Sequence, residues 1–145
     1  VSTMRVQKFT IYDEATGRIT VSGTSFIPEA GMPLEPGQAI LLGVATDNPG
    51  QSYICDGEIV AMPLRPSDSH EFDYSTRQWV PNAQMAWALA RIERDRILRS
   101  SDWRVTKAAE LGQPIDLAWA VYRQALRDVT LQADPLNIIW PTVPT

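Results

Sequence analysis

Few side chains in this chain could carry covalent or acid–base chemistry. It has one cysteine, Cys55, and one histidine, His70. A thiol nucleophile needs a base beside it, and these two stand 15 positions apart, with His70 inside the polar run Ser67-Asp68-Ser69-His70-Glu71. Cys55 therefore reads as a structural or inert thiol, since free cysteine usually behaves as a small hydrophobe. Zinc draws on His, Cys, Asp and Glu at short fixed spacings, and no such set is present. The acid pairs Asp13/Glu14 and Asp68/Glu71 fall where turns are expected, and read as solvated turn acids. No glycine-rich phosphate loop occurs. The sequence thus assigns no catalytic, cofactor-binding or metal-binding residue and reads as that of a non-enzyme.

The five tryptophans, Trp79, Trp87, Trp103, Trp119 and Trp140, are the next candidates. Exposed indoles stack on sugars, so a carbohydrate-binding receptor module is one reading. Four of the five, however, fall after residue 80. A small helical unit has little apolar surface to bury, and large aromatics fill such a core efficiently. Trp103, Trp119 and Trp140 are therefore assigned to core or interface packing. Trp87 lies off the apolar stripe of its helix and is the candidate for an exposed contact.

These residues must be positioned by a chain of 145 residues, 44% hydrophobic, with a formal net charge of -4. That length fits one domain or two very small ones, and the composition supports a globular fold. Phosphate binding needs a clustered basic surface. The arginines between Arg91 and Arg104 are interrupted by Asp95 and Asp102, so nucleic acid is not the expected partner. No apolar run approaches the roughly 20 residues needed to span a bilayer, and no signal peptide is recognised. Val1-Ser2-Thr3 precede Met4, either as a tag remnant or as part of a longer start.

Glycine and proline punctuate the first 80 residues at short intervals, which favours brief strands. Val6–Tyr12 predicts a strand with Phe9 and Ile11 on one face and Lys8, Thr10 and Tyr12 on the other. Asp13–Arg18 predicts a turn in which Asp13 accepts backbone hydrogen bonds and Gly17 takes a positive φ. Ile19–Ser22 is the return strand, and Thr24–Gln38, with Pro28, Pro33 and Pro36, a loop. Ala39–Val44 reads as a short buried strand. Asp56-Gly57 between Ser52–Cys55 and Glu58–Ala61 is the favoured type I′ hairpin pair. Phe72–Trp79 echoes Tyr12–Ile19: each has an aromatic, then Asp, a small residue, Thr and an apolar position, which predicts a second hairpin turn closed by an Asp side chain.

Pro81-Asn82 marks a switch to helix. Asn82 is the expected N-cap of a helix from Ala83 to Arg99, with Met85, Leu89 and Ile92 on its apolar face. Ser100–Trp103 should end it and fold Trp103 back onto that face. Arg104–Gln113 reads as a polar connection with at most one helical turn. A second helix over Ile115–Val129 follows, with Asp116 at its positive end and a stripe of Ala118, Tyr122, Ala125, Leu126 and Val129, flanked by Leu117 and Val121. The two helices are expected to pair as an antiparallel hairpin, with Asp95 and Arg123 as an internal clamp. Arg91, Arg127 and Asp128 could clamp likewise or form a docking surface. Asp134–Pro141 should be extended and lie in the helical groove or on a partner. The expected fold class is α+β: a small antiparallel β domain over residues 1–80, then an α-helical hairpin with an extended tail over 83–145.

Three blocks of the helical part resemble a known family. Arg94-Asp95-Arg96-Ile97-Leu98-Arg99-Ser100-Ser101-Asp102-Trp103 looks like the R-D-x-x-L-x-x-S-D-W signature of bacteriophage tail proteins. Trp119-Ala120-Val121-Tyr122-Arg123-Gln124-Ala125-Leu126-Arg127-Asp128 looks like their W-x-x-Y-R-Q-x-L-R-D, and Trp140-Pro141 like the closing W-P. The blocks keep the family's order and together cover about 50 of the 145 residues. The family is described as phage tail assembly chaperone-like, or as a C-terminal region of tail-fibre and tail-fibre-assembly proteins. A looser likeness to the β-rich segments preceding this module rests on Tyr53-Ile54, Asp56-Gly57-Glu58, Pro63, Pro66, Thr76 and Trp79.

The resemblance implies a role in virion assembly, with Trp87, Arg91, Asp95, Trp103, Trp119, Tyr122, Arg123, Arg127 and Trp140 as protein-contact or module-core residues. The first reading is a structural protein of the virion tail near the tail tip, baseplate or tail-fibre attachment, assembled in the host cytoplasm. Its partners would be other phage tail proteins, with self-association open and neither nucleic acid nor membrane involved. The alternative is a transient assembly chaperone that leaves the particle. The carbohydrate-receptor reading has only the aromatics behind it.

Overall fold

The computed structural model describes residues 5–27 and 31–145. The readings of Val1–Thr3 and of Pro28 lie outside the described residues. The fold is α+β, with antiparallel strands first and helices after them. The chain divides into two compact units. One comprises the chain up to Pro66 together with Phe72–Val80, and the other Ser67–Glu71 together with Pro81–Thr145.

In the first unit, β1 (Arg5–Asp13) is the middle of a three-stranded sheet between β2 (Ile19–Ile27) and β3 (Gln38–Leu42), antiparallel to both. Phe9, Ile11 and Ile27 form its core, with Met32, Leu34 and Ile40 packed against them. Thr10, on the face opposite Phe9 and Ile11, is also fully buried. Its hydroxyl shares a hydrogen bond with the Ser22 hydroxyl at 2.9 Å and donates to the Val44 carbonyl at 3.1 Å, so the chain after β3 covers that face as well. Two expectations fail here. Thr24–Ile27 continues β2 instead of opening a loop, paired with Arg5–Lys8. The Ala39–Val44 run forms an edge strand, not a buried one, with Leu42 and Val44 exposed.

The hairpin of β4 (Ser52–Cys55) and β5 (Glu58–Ala61) turns at Asp56 and Gly57, whose φ values of 52° and 78° are those of a type I′ turn. β6 (His70–Asp73) and β7 (Gln78–Pro81) form a third small sheet. The two echoed turns share their chemistry. Asp13 Oδ1 accepts from the N–H and the hydroxyl of Thr16, both at 2.8 Å. Asp73 Oδ1 accepts from the N–H of Ser75 at 2.8 Å and its hydroxyl at 2.6 Å. Gly17 and Arg77 occupy the same place in the two turns, with φ of 77° and 58°.

The second unit has three helices, not two: α1 (Ala83–Ser100), α2 (Asp102–Glu110) and α3 (Leu117–Asp128), with a single 3-10 turn at Val129–Leu131. Asn82 caps α1 by accepting from the Met85 N–H at 3.0 Å. Asp116 caps α3, accepting from the N–H of Ala118 at 2.9 Å. The stretch read as a polar connection is α2. Its N-terminal Asp102 favours helix initiation through the helix dipole, a signal that the missing apolar stripe obscured.

Candidate functional site

On α1 the helical unit buries a face that the apolar periodicity did not indicate, whereas on α3 it buries most of the expected stripe. On α1 the buried residues are Ala86 and Ala90, while Leu89 and Ile92 are exposed. On α3 Tyr122 and Leu126 of the expected stripe are buried, as is Val129 just beyond it, together with Arg123, while the flanking Leu117 and Val121 face solvent and Ala118 is exposed. On α1 it is thus small alanines that are buried and the larger Leu89 and Ile92 that face outward, the reverse of the expected stripe.

Arg123 is the centre of this arrangement. Its side chain is 9% exposed. Nη1 donates to the Leu98 carbonyl at 2.9 Å and to the Ser101 hydroxyl, and Nη2 donates to Asp102 Oδ1 at 2.7 Å. The Ser101 hydroxyl in turn donates to the Leu98 carbonyl at 2.9 Å. The last carbonyls of a helix have no partner within it. Arg123 supplies one and joins the end of α1, the first turn of α2 and the middle of α3 through a single planar group. Asp95, the expected partner of Arg123, instead pairs with Arg94 at 2.8 Å on the surface. Spacing along one helix could not show which carboxylate faces Arg123.

The second constellation is aromatic. The Arg104 guanidinium carbon lies 3.7 Å from the Trp119 ring centre and 4.5 Å from that of Trp103. Trp119 meets Tyr122 edge to face at 5.6 Å. Trp119 is half-buried, but Trp103 is 54% exposed. The expectation that Trp103 folds back into the core fails because α2 carries it past the end of α1. Arg104, which sequence reasoning left in a connection, is the residue that brings the two indoles together.

The tail adds a third element. Asp134 Oδ1 accepts from the Leu136 N–H at 2.9 Å, so Asp134–Asn137 is a turn and not extended as expected. Beyond it Gln132 pairs its side-chain amide with both backbone groups of Ile139, at 2.9 Å each. The Leu136–Trp140 segment then runs beside Ala86, Leu89, Ala90 and Glu93 of α1, with a groove between them. Trp140 is half-buried along this groove. Trp87 is half-buried, while Arg91 and Arg127 are exposed, so the sequence candidates do not form one site.

In the first unit the aromatics also cluster. Phe72 lies 5.5 Å from Tyr53, 5.1 Å from Tyr74 and 5.3 Å from Trp79, centre to centre. Trp79 Nε1 donates to the Pro63 carbonyl at 2.7 Å. The Cys55 thiol donates to Asp56 Oδ2 at 3.3 Å. That carboxylate, followed by burial, raises its pKa and disfavours the thiolate a nucleophile needs. Among the described residues no group of three His, Cys, Asp or Glu is placed to hold a metal ion, and no helix is long and apolar enough to cross a membrane.

Residues 87–145 match the family model described as phage tail assembly chaperone protein. No curated protein and no solved structure matches the chain. The match takes in Arg123, Ser101, Asp102, Trp103, Arg104, Trp119 and the clamped tail. The C-terminal module is thus similar to phage tail assembly chaperone proteins, as the sequence blocks indicated.

Proposed function

We propose that this protein acts in building the phage tail, as a non-enzymatic factor that binds other tail proteins through its C-terminal module. The observation that supports this most is the family match over 87–145. The surface of the same module is consistent with it. Leu117 is 76% exposed, Val121 61% and Ile139 80%, so apolar side chains are open to a partner.

A second reading, retention in the virion near the tail tip, baseplate or fibre attachment, draws on the three-stranded sheet. Among the described residues both of its outer strands, β2 and β3, have an unpaired edge, and such edges accept a further strand. Mass spectrometry of purified virions separates the two. An assembly factor is expected to be missing from particles and to co-purify with a tail protein from infected cells. Stoichiometric recovery from particles would overturn the assembly-factor reading in favour of retention.

A further inference from the structure

We propose that the Arg104 guanidinium, held against Trp103 and Trp119, is the seat for an acidic side chain of a partner tail polypeptide. This inference rests on the proposed role in binding tail proteins and names the chemistry by which one is held. Arg104 is half-buried, with its guanidinium over both indoles. Among the described residues that guanidinium takes part in no hydrogen bond or ion pair, unlike those of Arg94, Arg96 and Arg123. Stacking uses the faces of the planar group and leaves its N–H donors pointing outward at the edges. Those donors match a carboxylate in a two-pronged geometry. Two rings restrict the side chain before a partner arrives, so less entropy is lost on binding.

The surroundings select the kind of segment. A pocket on one side of the stack is lined by Trp103, Lys107, Leu111 and Trp119, which adds a second cation and an aliphatic wall. Asp116 also borders this pocket, but its Oδ1 accepts from the Ala118 N–H at the start of α3. On the other side a groove bordered by the same Trp103, Arg104 and Trp119 runs to Pro141 and Val143. With space on both sides of the cation, a chain can pass over it. The fit is therefore to an internal Asp or Glu flanked by apolar residues, not to a free C-terminal carboxylate.

The test uses the whole protein and overlapping peptides spanning the other tail proteins of the same phage, made with free and with amidated C-termini. The captured peptides are expected to carry an internal acid beside apolar residues and to bind equally well when amidated. Changing that acid to its amide should weaken binding about tenfold, as should Arg104→Gln, with Arg104→Lys intermediate. Circular dichroism checks the fold of each variant, and the peptide-side substitution tests the contact even if Arg104→Gln does not fold. Binding lost on amidation shows a terminal carboxylate and overturns the internal-acid assignment. Capture indifferent to both substitutions overturns the site while leaving the proposed function standing. Failure to capture any peptide, with intact tail proteins still co-purifying, overturns the inference alone, whereas loss of both overturns the function as well.

Discussion

Arg123 and Asp102 meet at 2.7 Å, yet one side chain is 9% exposed and the other 57%. The pair is therefore unequal. Asp102 can be rehydrated if its partner is lost, but the Leu98 carbonyl and the buried Ser101 hydroxyl, which share the guanidinium, cannot be as readily.

Arg123→Met is accordingly expected to destabilise the helical unit by about 1–3 kcal/mol, because the buried Ser101 hydroxyl oxygen loses its donor and the Leu98 carbonyl keeps only its bonds from Ser101. Arg123→Lys should rescue little of this, since an ammonium cannot reach three acceptors in one plane. Asp102→Asn should cost under about 1 kcal/mol, because the amide oxygen can still accept from Arg123 and the carboxylate lost is largely exposed. Urea denaturation of the three variants measures the order. Equal losses for Arg123→Met and Asp102→Asn would show that the ion pair, not the helix-end carbonyl, matters most.

The twin Asp turns differ at the residue with positive φ. At Gly17 an added Cβ would lie 2.1 Å from the Ile54 carbonyl oxygen, and the Gly17 carbonyl accepts from the Ile54 N–H at 2.8 Å. Gly17→Ala should therefore cost at least about 2 kcal/mol, from left-handed backbone strain and displacement of β4. Arg77→Gly relieves strain at the matching place but gives up the guanidinium 6.0 Å from the Tyr53 ring. It is expected to fall within about 1 kcal/mol of neutral. Thermal melts of both variants compare them directly.

The local signals in this chain were legible where a residue's own chemistry sets the backbone. Asp56-Gly57 demanded a type I′ turn, Asn82 and Asp116 were readable as helix starts, and the likeness of Asp13–Arg18 to Asp73–Gln78 extended to their hydrogen bonds. Contacts between elements were less legible. Leu89 and Ile92 outrank Ala86 and Ala90 in hydrophobicity, so periodicity chose the wrong face. Close packing against alanine depends on what lies opposite, which a single helix does not encode. Asp95 was the expected partner of Arg123, and only the position of α2 shows that Asp102 takes its place. Likewise Arg104 acquires significance only when α3 brings Trp119 against it.

Acid should loosen the same turns. Hydrogen bonds from Thr16 lower the pKa of Asp13, those from Ser75 lower that of Asp73, and those from Asn137 and Leu136 lower that of Asp134. A carboxylate whose pKa is depressed in the folded state contributes stability fully above its unfolded value of about 3.9. That contribution is lost as pH falls below this value and through the folded pKa. Stability at pH 7 and pH 5 should therefore be nearly equal with respect to these groups, with the decline confined to lower pH. Carbon NMR titration of the Asp carboxyls checks the midpoints. Asp13→Asn, whose amide oxygen can still accept from Thr16, should keep the turn and flatten its share of the acid decline. An unchanged slope in that variant would remove Asp13 from the account.

The Gln132–Ile139 clamp gives the sharpest test of how the tail is held. The Ile139 side chain is 80% exposed, so burial does little to anchor it, and the side-chain amide holds its backbone through one donated and one accepted bond. Both bonds depend on the amide having one N–H and one C=O side by side. Gln132→Glu keeps an acceptor for the Ile139 N–H but loses the donor to its carbonyl, and Gln132→Leu loses both. Hydrogen exchange at the Ile139 amide should be slowest in the wild type and fastest in the leucine variant. The glutamate variant should fall between them, each lost bond being worth about 1 kcal/mol, or roughly fivefold in exchange. Because the clamp lies next to the segment beside α1, exchange at Ile138 and Trp140 should rise in the same order, while the amides of α3 stay protected. Uniform acceleration across α3 would mean that the tail and the helices open as one unit, and that Gln132 stabilises the whole module instead of fastening its end.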